Sequence, residues 1–170
     1  MKQKKLIVCV CRGNIARSPF AEAVIINELN QRNISDKYLS ISRGVQGTVI
    51  DPQPVKFPNI TYYDQLYKDS KPSLEKFNID LSTHISTPIN KNIANKASIL
   101  IAMDNKTKQI LLTLFPEQTK KVHLLSELIN ESKDIIDPEG ISGVEKQEKI
   151  FSEIQDIIHR GFSKLLILVN

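Results

Sequence analysis

Leu6-Ile7-Val8-Cys9-Val10-Cys11-Arg12-Gly13-Asn14-Ile15-Ala16-Arg17-Ser18-Pro19 is the stretch whose reading decides the fold. Its first part is short, apolar and rich in valine and isoleucine, the composition of a strand buried on both faces. Pro19 suits the first turn of a helix, and Phe20, Ala23, Val24 and Leu29 then line one side of a helix over 18–31. A strand over 4–11 therefore hands over to a helix through a loop that opens with a thiol and closes with an arginine and a hydroxyl. In open α/β sheets ligands bind at the carboxyl ends of the strands, which is where Cys11 falls. The loop 12–17 turns successive backbone N–H groups towards one point, with a helix N-terminus behind it, and so cradles an anion. Arg17 adds a planar fork matched to two phosphate oxygens. Such surroundings favour the nucleophilic thiolate form of Cys11, and Ser18 is placed to donate a hydrogen bond to it.

Further along, Tyr38 to Ser42 reads as a second strand, ended by Gly44. Residues 97–103 contain Ile99-Leu100-Ile101-Ala102-Met103, a third buried strand, and 121–125 are a fourth. A short helix is expected at 73–78, and another over 105–114 that stops before Pro116. A long amphipathic helix is expected over 143–169, where Val144, Ile150, Ile154, Ile157, Ile158, Phe162, Leu165 and Leu166 recur at helical spacing. Between them, 45–72 holds Gly47, Pro52, Pro54, Pro58 and Pro72 and reads as a long irregular loop. Strands alternating with helices imply a parallel sheet with helices on both faces.

The 170 residues, 41% hydrophobic and 25% charged, suit one domain spanning 1–170 with a sizeable core. No apolar run reaches the roughly 18 residues of a membrane span. The N-terminal apolar stretch is too short for a signal peptide and lacks its cleavage site. A cytoplasmic chain is expected, with secretion by a route that uses no N-terminal signal left open. Cys9 and Cys11 are the only cysteines and form no disulfide framework. His84, His123 and His159 show no metal spacing relative to them, and neither a metal nor another cofactor is expected. Net charge is +4 with scattered lysines, and no basic cluster interleaved with aromatics marks a nucleic-acid surface.

The stretch from Val10-Cys11-Arg12-Gly13-Asn14-Ile15-Ala16-Arg17-Ser18-Pro19 to Phe20-Ala21-Glu22-Ala23 resembles the signature of the low-molecular-weight protein tyrosine phosphatases. Ser42-Arg43-Gly44, Phe77-Asn78-Ile79-Asp80-Leu81-Ser82-Thr83-His84 and Ile101-Ala102-Met103-Asp104 resemble further segments of that family, in order, and Asp137-Pro138 falls where its general acid stands. The resemblance covers most of the chain. It implies hydrolysis of protein phosphotyrosine and small aryl phosphates through a phosphocysteine intermediate, by a monomer acting on phosphorylated proteins or peptides. Cys11 would be the nucleophile, Arg17 the phosphate clamp, and Asp137 the acid and then the base. Arg12, Gly13, Asn14, Ile15, Ala16, Arg17 and Ser18 would hold the phosphate. Asn14, Ser18, Ser42 and His84 would brace the loop. Asp104 reads as structural, and Asp137-Pro138 without the resemblance reads only as a turn. The expected architecture is a single-domain three-layer α/β fold, with four parallel strands in the order 2-1-3-4.

The chain departs from the family pattern at several points. Ala16 replaces a cysteine that many members carry before the arginine. Cys9 lies on the same side of its strand as Cys11, at a Cα separation of roughly 6.5–7 Å, near the upper limit for a disulfide. It reads as a buried core residue, with poor reversible protection of Cys11 expected. Glu139-Gly140 replaces a pair of tyrosines after the acid, putting a negative charge near the mouth. The 45–72 segment is longer than the family's usual loop, and its Tyr62 and Tyr63, with Tyr67, are available as a replacement aromatic rim. Three other functions are open on the same residues. A phosphoarginine phosphatase would favour a threonine where Ile15 stands. An arsenate reductase would need downstream cysteines, which this chain lacks. A phosphate-loop module that binds phosphorylated partners without turnover is the third.

Overall fold

Strand β1 (Lys5–Cys11) lies between β2 (Tyr38–Gly44) and β3 (Ala97–Ala102), and β4 (Val122–Leu124) pairs with β3. All pairings are parallel and the order is β2-β1-β3-β4, as expected. The computed structural model describes residues 3–170; Met1 and Lys2, the first residues of the expected domain, lie outside it. The strand period of two divides β1 cleanly. Ile7, Cys9 and Cys11 join the larger core, with residues of α1 (Arg17–Gln31), α2 (Asp64–Lys76) and α5 (Val144–Val169). Leu6, Val8 and Val10 join the smaller core on the other face, with residues of α3 (Lys91–Lys96) and α4 (Asn105–Leu114). Helices on both faces explain why β1 carries an unbroken apolar run. Among the described residues no helix is long and apolar enough to cross a membrane.

The register brings the carboxyl ends of three strands together. Cys11 pairs with Gly44, and Val10 pairs with Ala102. Beyond β3 the ladder continues into loops: Met103 N–H donates to Val10 O at 2.9 Å, and Ile135 N–H donates to Met103 O at 2.8 Å. The second bond delivers the loop that carries Asp137 to the end of β1.

Two expectations at the rim need correction. The irregular segment ends near residue 63, because α2 begins at Asp64 and runs through Pro72 to Lys76, replacing the short helix expected at 73–78. Proline removes one helical N–H and normally breaks a helix. Here Pro72 faces solvent, while Leu66, Asp69, Ser70, Ser73 and Leu74 form a buried stripe. Packing of that stripe against α5 outweighs the lost bond. Helix α3 was not foreseen: it is six residues long, buries only Ala94, and is started by Asn90, whose side chain accepts from Ile93 N–H at 3.0 Å. One turn with a single buried residue leaves no periodic signal.

Helix α5 packs closely on the 3-10 turn Leu125–Ile129. A Cβ on Gly161 would lie 2.5 Å from Leu128 Cβ and 2.9 Å from Leu128 O. Overpacking costs about 1–3 kcal/mol, only partly offset by the roughly 0.5–1 kcal/mol that alanine gains over glycine in a helix. Gly161→Ala should therefore lower the urea midpoint at unchanged slope. An unchanged midpoint would show that Leu128 can yield without cost.

Candidate active site

Cys11 ends β1 and is almost fully buried. Its Sγ lies 3.0 Å from Ser18 Oγ and accepts from Asn14 N–H at 3.2 Å. The loop curls because Asn14 takes the left-handed conformation, φ 55°, which asparagine tolerates better than most residues. Gly44 is required beside it: a Cβ there would lie 2.9 Å from Arg12 O and 3.2 Å from Asn14 Cβ.

The side chain of Asn14 is the hub of the brace. Its Nδ2 donates to Ser18 Oγ at 3.0 Å and to Ser42 Oγ at 2.9 Å. Its Oδ1 accepts from Thr87 N–H at 3.0 Å and from His84 Nε2 at 3.2 Å, and the same His84 nitrogen donates to Asn14 O at 2.9 Å. Ser42 Oγ in turn donates to Glu22 Oε2 at 2.6 Å, and Ser86 Oγ donates to Gly13 O at 2.7 Å. The structure thus brings Asn14, Ser18, Ser42 and His84 into one network, and adds Glu22, Ser86 and Thr87. Glu22 lies inside the quoted signature, but nothing in its spacing shows a partner on β2.

Arg17 is buried on the first turn of α1. Nη1 donates to Asp104 Oδ2 at 2.6 Å and to Ile135 O at 2.8 Å, and Nη2 donates to Asp137 Oδ2 at 2.7 Å. Burial works against the guanidinium charge, but Cys11, Asp137 and Asp104 outweigh it and hold the group above its ordinary value. Asp104 is structural in placement: its Oδ1 caps α4 by accepting from Thr107 N–H at 2.7 Å. Burial would raise this carboxyl, but the Thr107 N–H and Arg17 prevail and hold it below the usual range. Asp137 Oδ1 accepts from Glu139 N–H at 3.1 Å, closing the turn expected of Asp-Pro.

Cys11, Gly13, Ala16 and Arg17 line one cleft with Asp137 and Glu139, and Ile15, Tyr63, Leu66 and Pro138 supply its apolar lining. Of the rim tyrosines, Tyr63 lines the cleft, its hydroxyl donating to Phe57 O at 3.1 Å. Tyr62 does not line it; it is exposed and lies against Phe57 with ring centroids 6.0 Å apart. Tyr67 packs on the core beneath. The Arg12 side chain does not line this cleft and pairs with Asp51 of the long loop at 2.9 Å. Cys9 is a free thiol with no exposure, and burial pushes it well above its ordinary value. No cluster of three or more metal-ligating side chains occurs among the described residues.

A parallel sheet with a thiol at the end of its first strand, inside a loop closed by a buried arginine, defines the class: a small α/β protein with a thiol in an anion-cradling loop. The particular family follows from comparison: a model for low molecular weight phosphotyrosine protein phosphatase matches residues 6–170, and the chain belongs to that family. Among its relatives is a probable low molecular weight protein-tyrosine-phosphatase, EpsP, of Ralstonia nicotianae, 29% identical across 92% of this chain and 90% of its own. A protein-arginine-phosphatase of Bacillus subtilis is 26% identical across 91% and 92%. An arsenate reductase of Bacillus cereus is 24% identical across 72% and 75%. A low molecular weight protein tyrosine phosphatase from T. tengcongensis superposes with a TM-score of 0.76 at 23% identity, covering 95% of this chain and 99% of that one, which shows the shared fold.

His84 gives the brace a pH dependence. Burial is the main cause that lowers its pKa, only partly opposed by the bond to Asn14 O. A histidine whose pKa falls on folding takes up its proton less readily in the fold, so its full contribution is present above the unfolded value of about 6.5 and is lost as pH falls below it. Wild-type stability should therefore fall from pH 7.5 to 5.5 by more than that of His84→Gln, as read by urea midpoints. Parallel losses in the two proteins would contradict this.

Proposed function

We propose that this protein hydrolyses phosphotyrosine in proteins, and small aryl phosphates, through a phosphocysteine intermediate. The observation that carries the reading is the convergence of Cys11, Arg17 and Asp137 on one cleft whose remaining lining includes Ile15, Tyr63, Leu66 and Pro138. The apolar character of these walls suits a flat aromatic ring, with its phosphate at the loop.

The Cys11 thiolate attacks phosphorus, forming the S–P bond as the P–O bond to the phenol breaks. Asp137, in its carboxylic acid form once the phosphate of the substrate takes up the charge of Arg17, gives its proton to the departing oxygen. It then takes a proton from the water that attacks phosphorus, releasing inorganic phosphate and the thiolate, to which Ser18 donates. A guanidinium has five N–H groups. Asp104 and Ile135 take both of those on Nη1, and Asp137 takes one on Nη2. The Nε–H and the other Nη2–H remain for two phosphoryl oxygens.

Arginine phosphatase chemistry finds less support, because Ile15 in the cleft wall offers no hydrogen bond to a phosphorylated guanidinium. Arsenate reduction needs further thiols, and the one cysteine besides Cys11 is the fully buried Cys9. In phosphate-release assays on a phosphotyrosine peptide, Cys11→Ser should show no turnover, and Asp137→Ala should lose about 10²–10⁴-fold. A phosphoarginine peptide should be the poorer substrate. Wild-type rates in Cys11→Ser, or preference for phosphoarginine, would refute the assignment.

A further inference from the structure

Gln147 lies on the first turn of α5 and is fully buried. Ile150, Phe151 and Ile154 follow it among the buried residues of that helix, so a lone amide stands at the head of an apolar stripe. Its Nε2 donates to two carbonyls of the loop after Asp137: Pro138 O at 3.1 Å and Ile141 O at 2.7 Å. These are the two ends of one turn, since Ile141 N–H donates to Pro138 O at 3.1 Å. Its Oε1 has no hydrogen-bond partner among the described residues. A buried acceptor left unpaired costs stability. Packing alone would favour an apolar side chain here, and what the amide gains is its hold on the turn.

A second fastening comes from α2. Gly143 N–H donates to Asp69 Oδ2 at 2.7 Å, and Asp69 is itself buried and oriented by Gln65 Nε2 at 2.8 Å. On the other side of Asp137 the chain is fixed at Ile135, through Met103 O and Arg17. Asp137 therefore sits on a short span anchored at both ends by buried groups, and of these Gln147 and Asp69 do not line the cleft.

We propose that Gln147, with Asp69, is a positioning residue for Asp137: the two side chains hold the acid's loop where its carboxyl meets the departing oxygen. The inference rests on the reading of Asp137 as the acid, and the experiment separates the two. It compares kcat/KM, which reports steps up to ester cleavage, for phenyl phosphate and p-nitrophenyl phosphate. The phenol of the first needs a proton to depart; p-nitrophenolate departs with little help. In Gln147→Met the phenyl phosphate value should fall about ten- to a hundred-fold, the scale of a misplaced catalytic group, while the p-nitrophenyl value falls far less. Its melting temperature should not fall in proportion, since an unpaired acceptor is removed with the amide. Gln147→His, which keeps an N–H donor, should recover part of the ratio. If Gln147→Met does not fold, Asp69→Ala should give the same leaving-group dependence, and Asp69→Asn, which keeps an accepting oxygen, should not. Equal losses on both substrates, or none, while Asp137→Ala is leaving-group dependent, overturns the positioning role and leaves the acid standing. A flat response in Asp137→Ala overturns the acid and this inference with it.

Discussion

The bonds of one side-chain amide, that of Asn14, set the shape of the site. It joins residues from α1, from β2 and from the 84–87 segment around a single left-handed turn. Each hydrogen bond contributes about 1 kcal/mol net, but a buried partner left unsatisfied costs about 1–3 kcal/mol. The brace is therefore close to all-or-none. The thiol sits where it does because Asn14 N–H and Ser18 Oγ meet it from two sides, and Ser18 is itself held by Asn14. Glu22 ends the chain of donors at Ser42 with an acceptor-only group, which fixes the direction of the bonds through it.

Arg17 does for charge what Asn14 does for shape. A buried guanidinium must be paired, and its two carboxylates come from different parts of the chain. Asp104 spends its other oxygen on the N-terminus of α4, and Asp137 spends its own on its turn. The same cation thus ties together the ends of β1 and β3 and the loop beyond β4. Loss of either acid would leave the remaining one alone beside a buried charge. That arrangement locates the loop that carries Asp137, with Ile135 in the core, and leaves the Asp137 side chain itself partly exposed.

The sequence made the local part of this legible. The run from Leu6 to Pro19 predicts strand, loop and helix because strand burial, loop chemistry and helix start are all decided within a few residues. The strand order followed, and membership of the family rests on the full length of the match. Ser42 and His84 were found through the resemblance alone; neither has a local pattern that points to Asn14. What stayed hidden was either non-local or a tertiary override. Glu22 enters the brace only once β2 lies beside the signature, and Ser86 and Thr87 only once their segment docks on Gly44. Pro72 argued for a loop, but the buried stripe from Leu66 to Leu74 keeps the helix. Tyr62 and Tyr63 look alike in sequence, and only the 3-10 turn Ile60–Tyr62 before α2 decides which one reaches the cleft. Gln147 stands between Lys146 and Glu148 with no local pattern that marks it, since its role depends on where the Pro138–Ile141 turn lies.

Helix α2 carries more than a wall. Tyr63 and Leu66 at its start line the cleft, and Asp69, one turn on, grips the segment that leads from Asp137 into α5. Thirteen residues outside the signature thus reach both the wall of the cleft and the segment that follows Asp137. With Asp137 as the proposed acid, drift in this helix under selection for a new substrate would carry that residue with it. Substrate range and tolerance of poor leaving groups are then inherited as one trait, and divergence in one leaves its mark on the other.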